Sequence, residues 1–122
     1  MFTITKKHLF WWPVTVKIPS PDNSGVYQEH EFEIQFEAMP LDRAREIDTA
    51  RAKLPAAERE DSQFDYVFEL VRGWRDVVAE DGEAVPFSRE IFAAQFQYPW
   101  FRDAVAEAYA RAVSGQGGRL GN

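Results

Sequence analysis

The chain contains no cysteine, so it has neither a disulfide framework nor a thiolate zinc site. It also lacks any apolar run near the ~20 residues that a bilayer-crossing helix needs, and a membrane partner is not expected. The longest early apolar stretch, Leu9 to Val14, is short and carries Pro13 within it, which is the wrong form for the hydrophobic region of a secretory signal. The expected location is therefore the cytosol. Excess positive charge is missing too: 14 Lys and Arg stand against 20 Asp and Glu, a formal net charge of -6. That sign opposes phosphate tracking by counterion release, and nucleic acid is not expected as a partner.

What the chain does have is rings. Ten Phe, four Trp and four Tyr occur among 122 residues, a length that fits one domain. A core of this size has trouble enclosing so much aromatic surface, so part of it is expected at an interface.

Two segments alternate with a period of two. Trp12, Val14, Val16 and Ile18 are apolar around Thr15 and Lys17, and Phe32, Ile34 and Phe36 are interleaved with Glu29, Glu31, Glu33, Gln35 and Glu37. Both predict half-buried strands. Pro19 to Gly25, rich in turn-forming residues, predicts the loop of a long antiparallel hairpin. Phe2 and Ile4 alternate with Thr3 and Thr5, which predicts a third strand over 1–6.

Helical signals follow. Pro40-Leu41-Asp42 opens a helix with a thin stripe of Leu41, Ala44, Ile47, Ala50 and Leu54, ended by Pro55. Ser62-Gln63-Phe64-Asp65 has the form of a capping box. Phe64, Val67, Phe68, Val71, Trp74 and Val78 then recur at helical spacing, predicting a central core helix. Ser88 is a good N-cap for a short helix through Ile91, Phe92 and Phe96. Pro99 starts a last helix with Phe101, Ala104, Val105, Ala108, Tyr109 and Ala112 on one face. The sum is an α+β fold: an N-terminal antiparallel ribbon over 1–38, of two or three strands, packed on about four short helices over 40–113. Residues 114–122, with four glycines, read as a flexible tail.

Catalytic patterns are thin. There is no thiol and no Gly-x-Ser-x-Gly elbow. His8 and His30 could face each other across the hairpin and, with Glu29 or Glu31, form a metal site for a small enzyme; two ordinary surface histidines are the plainer reading. The glutamate row could hold an acid/base carboxylate pair, yet such a row more often keeps a strand soluble. Arg72 with Asp76 and Glu107 with Arg111 stand at helical i,i+4 spacing, which marks solvated faces. No residue is predicted to be catalytic, and no cofactor is expected.

The punctuation of the second half has a further meaning. Val71-Arg72-Gly73-Trp74-Arg75-Asp76-Val77 is followed by Asp81-Gly82-Glu83-Ala84-Val85-Pro86-Phe87-Ser88, then by Tyr98-Pro99-Trp100-Phe101 and a helix containing Tyr109. With the upstream Phe-Glu-Ile-Gln-Phe, this order resembles the small tail assembly chaperones of long-tailed bacteriophages and prophages, over about four-fifths of the chain. In such proteins a helix ending in Gly-Trp precedes the acidic glycine turn, the Val-Pro-Phe-Ser helix entry and the final Pro-started helix. The resemblance implies a non-enzymatic protein of the infected bacterium's cytoplasm that binds the tape measure protein and keeps it soluble until tail tube subunits polymerise around it. It further implies absence from the finished virion, self-association, and a frameshifted extension beyond Ser114 that reaches the tail tube protein. The alternative is a structural virion component, such as a head–tail joining or tail-terminating protein. For partner binding the residues singled out are Trp11, Trp12, Tyr98 and Trp100 as aromatic anchors, with Arg72 and Arg75 as polar contacts.

Overall fold

A computed structural model describes residues 1–115 of the chain. The hairpin is present: β1 (Leu9–Pro19) pairs antiparallel with β2 (Tyr27–Glu37), from Leu9 opposite Glu37 to Pro19 opposite Tyr27. Its loop closes as the turn residues suggest. The Ser20 hydroxyl accepts from the Asp22 and Asn23 amides at 3.3 and 3.1 Å, and Gly25 takes φ 77°.

The third strand is not where the N-terminal alternation placed it. Residues 1–8 pair with no strand, and Phe2 and Ile4 stand exposed. β3 is instead Val71–Arg75, antiparallel to β2, and the sheet order is β1-β2-β3. The predicted central core helix is correspondingly short: α3 spans Asp65–Leu70 and the chain then extends. A bulge opposite Gln35/Phe36 explains why the pattern resembled a helix. Two residues of β3 oppose one of β2, so Val71 and Trp74 both face inward although three positions apart, a spacing that an unbroken strand forbids and a helix permits. Gly73-Trp74 thus lies on a strand rather than at a helix end, and the part of the chain from 40 onward is not purely helical.

The remaining helices are α1 (Leu41–Ala52), α2 (Ala56–Asp61), α4 (Arg89–Gln95) and α5 (Pro99–Ser114). Ser88 caps α4, its hydroxyl accepting from the Ile91 amide at 3.1 Å, and Pro99 opens α5, which ends in a left-handed Gly115. Ser62 does not cap α3. It closes α2, and its hydroxyl donates to the Arg59 carbonyl and accepts from Arg51 Nε. α2 itself was not anticipated. α5 runs through Ser114, one residue past the predicted domain end; the rest of the predicted tail lies outside the described residues.

The helices cover one face of the sheet. Val14 and Val16 of β1, Phe32, Ile34 and Phe36 of β2, and Val71 and Trp74 of β3 meet Val67 and Leu70 of α3, Phe92 of α4 and Phe101, Val105 and Ala108 of α5. α5 lies along β1. Phe92 is the hub, with ring centroids of Phe68, Phe96 and Phe101 at 5.5, 5.6 and 5.5 Å. Most of the aromatic surplus therefore lies inside, as edge-on, tilted and stacked ring pairs. Tyr109 Oη accepts the Met39 amide at 3.0 Å, tying the exit of β2 to the last helix.

Candidate functional site

Among the described residues no helix covers the other face of the sheet, and its odd-numbered residues show why. In an antiparallel ladder directly opposed residues share a face, so Trp11, Thr15 and Lys17 of β1 lie beside Glu29, Glu31, Glu33, Gln35 and Glu37 of β2. Such a surface stays in water unless another molecule covers it.

Its charges are ordered in cross-strand pairs. Lys17 meets Glu29 at 3.7 Å, Arg75 meets Glu33 at 2.8 Å and Arg72 meets Glu37 at 3.0 Å. Arg72 reaches this face because it is the extra residue of the bulge, while Arg75 does so by strand parity. The Arg75 guanidinium also lies over the Trp11 ring, 4.2 Å from its centroid. Trp11 is thereby held in one orientation, 37% exposed, by a cation whose own position is fixed by Glu33. A ring fixed in this way loses little side-chain entropy on meeting a partner.

The six residues singled out from the sequence fall in three places. Trp11, Arg72 and Arg75 share the open sheet face. Trp12 has the opposite parity and is half-buried with the core cluster, edge-on to Phe10 at 6.4 Å. Tyr98 and Trp100 belong to the helical layer, where they stack at 5.2 Å and 8° at the start of α5; Tyr98 is exposed and Trp100 half-buried against the core. Glu33 and Glu37 were not singled out as arginine partners. Reading 71–75 as helix hid the strand that brings the arginines to them, and Arg72 and Asp76 form no helical pair. Glu107 and Arg111 do, at 3.1 Å.

His8 and His30 do not face each other. His8 lies next to Ala38, whose amide donates to its carbonyl, whereas His30 is opposite Val16, so the two sit toward opposite ends of the hairpin. Among the described residues no three His, Asp or Glu gather closely enough to hold a metal ion. A shallow cleft of about 190 Å³ lies between α1 and Tyr66, lined by Met39, Ala44, Ile47, Asp48, Arg51 and Gln63. That is below the ~300 Å³ at which small-molecule sites begin.

At the edge of this cleft Arg43 grips Glu69 with two hydrogen bonds, one of them 3.0 Å, and also reaches Glu46 at 3.0 Å. Hydrogen bonding from Arg43 holds the Glu69 carboxyl below the ordinary glutamate range, and the same bonds push Arg43 up. This is a structural tether for α1 rather than a reactive pair. Comparison with known protein families, with curated proteins and with solved structures finds no match for the chain.

Proposed function

We propose that the protein acts by reversible binding rather than catalysis, as a tail assembly chaperone that covers the tape measure protein before the tail tube forms. The observation that carries the reading is the open sheet face, where Trp11 is clamped by Arg75 among paired glutamates with no helix over it. An amphipathic helix exposed before assembly would aggregate through its apolar stripe. Laid across this face, it would set that stripe on Trp11 and its flanking basic residues against the glutamates, while the net charge of -6 keeps the complex dispersed. The resemblance to tail assembly chaperones, strongest between Phe64 and Tyr109, names the helix.

The test is co-expression with the tape measure candidate encoded in the same gene cluster, followed by affinity capture and a measurement of soluble yield. Co-purification with restored solubility is the expected outcome. Trp11→Ala should weaken capture by about 1–3 kcal/mol and leave the circular dichroism spectrum unchanged, because the ring lies outside the core. A candidate that stays insoluble and unbound, together with this chain in purified particles, would replace the chaperone reading by that of a virion component.

A further inference from the structure

Among the described residues the exposed alternation at the N-terminus pairs with no strand, while the sheet has a lane with no strand in it. Backbone bonds locate that lane. Ser20 N donates to Val26 O at 2.8 Å and Ala38 N to His8 O at 2.9 Å, at the two ends of the β1–β2 ladder. Hydrogen-bonded and non-hydrogen-bonded pairs alternate between them, so even-numbered residues of β2 bond to β1 and odd-numbered ones turn their N–H and C=O away from it. β3 takes that side only from Glu33 to Phe36. Asp76, at φ 66° the only left-handed residue other than glycine among those described, then carries the chain out of the ladder. Beyond it Tyr27 and Glu29 are exposed, with no strand on that side.

The opposite edge is interrupted. Pro13 is odd-numbered, so the position where it lacks an N–H lies on the outward side of β1. An incoming strand meets an interrupted ladder there and a continuous one along Tyr27 and Glu29.

Residues 2–7 have the form such a lane accepts. Phe2 and Ile4 are 83% and 89% exposed. Paired beside β2, they continue the apolar face of Val16 and Phe32, while Thr3, Thr5 and Lys7 fall on the glutamate face, with Lys7 supplying charge opposite to Glu29. They cannot reach the lane in their own chain. Leu9 is fixed opposite Glu37; Glu29 is about 26 Å farther along β2 and about 10 Å to the side at ordinary strand spacings. Phe2 can extend only about 24 Å from Leu9, and Ile4 about 17 Å.

We propose that residues 2–7 of one copy of this chain add as a strand along Tyr27–Glu29 of a second copy. Donor and acceptor sit at opposite ends of the sheet, so each copy can give a strand and receive one. This association stands apart from the tape measure reading, since it involves this chain alone.

Sedimentation velocity over a concentration series tests it. Wild-type mass should rise with concentration. The exposed-segment variant Phe2→Asp/Ile4→Asp, with a damaged donor, should stay monomeric. Glu29→Pro, which removes an N–H pointing into the lane but no β1–β2 backbone bond, only the exposed ion pair to Lys17, should do the same. Mixed together, these two variants should form a two-copy complex and stop, because one retains the acceptor and the other the donor. A monomeric wild type at every concentration would overturn the proposal, as would donor variants that associate like wild type. If Glu29→Pro fails to fold, wild-type amide exchange at Glu29 decides instead: protection should grow with concentration, and unchanged exchange would count against strand addition.

Discussion

Trp74 shows how much a single side chain can be asked to hold. It is buried, edge-on to Phe87 at 5.3 Å and to Phe32 at 6.3 Å, and its Nε1 donates to the Val85 carbonyl at 2.8 Å. That bond pins the 76–87 loop to the sheet. Trp74→Phe should keep most of the ring contacts yet cost about 1–3 kcal/mol, mainly by leaving the Val85 carbonyl without its donor; denaturant unfolding measures this. Trp74→Ala should cost about 3–5 kcal/mol. Trp11, on the other face of the sheet, should be nearly neutral for stability. The two indoles look alike in a sequence, and only strand parity separates the one that holds the fold from the one left on the open face of the sheet.

Helix caps allow the same separation for elements. Ser88→Ala should destabilise the protein by about 1 kcal/mol because it frees the Ile91 amide. Ser62→Ala should change stability by less than about 0.5 kcal/mol, since Ser62 closes α2 through its backbone amide and its hydroxyl bonds at a mostly solvated turn. Thermal melts of the two variants side by side check both. The contrast also shows what was legible. The hairpin could be read to within three residues because its alternation and turn chemistry agree, and α4 and α5 because Ser88 and Pro99 mark their starts. The 62–78 stretch misled for a physical reason. A bulge sets Val71 and Trp74 on one face at helical spacing, and a serine with an acid three residues on imitates a cap. Half of the candidate site went unseen for that reason, since Arg72 and Arg75 meet Glu37 and Glu33 only if β3 is a strand. Residues 1–6 alternate as a strand would, but they pair with no strand among the described residues, and the lane along Tyr27–Glu29 lies beyond their reach.

Across the whole molecule, stability is unevenly spread. The sheet, α3, α4 and α5 share the buried core, whereas α1 and α2 bury no residue completely. α1 is tied to α3 by the Arg43–Glu69 grip, whose side chains are 45% and 42% exposed. Because the folded Glu69 carboxyl lies below its ordinary value of 4.5, this pair contributes stability above that pH and loses it as the pH falls through the lowered folded value. α1 amides should therefore exchange faster, relative to sheet amides, as the pH drops below 4.5. Arg43→Ala should remove that difference. The effect should be small, because solvent screens both ends of the pair.

The Tyr109–Met39 bond, between residues 70 positions apart, bears on the order of events during synthesis. The hairpin is made first, yet the side chains that roof Val14 and Val16, those of Phe101, Val105 and Ala108, are made last. A growing chain stalled before α5 has left the ribosome would carry a finished ribbon with its greasy side bare. It would be open to chaperones and proteases until α5 emerges, and would become resistant abruptly, once that helix swings in and the Tyr109 hydroxyl takes up the Met39 amide.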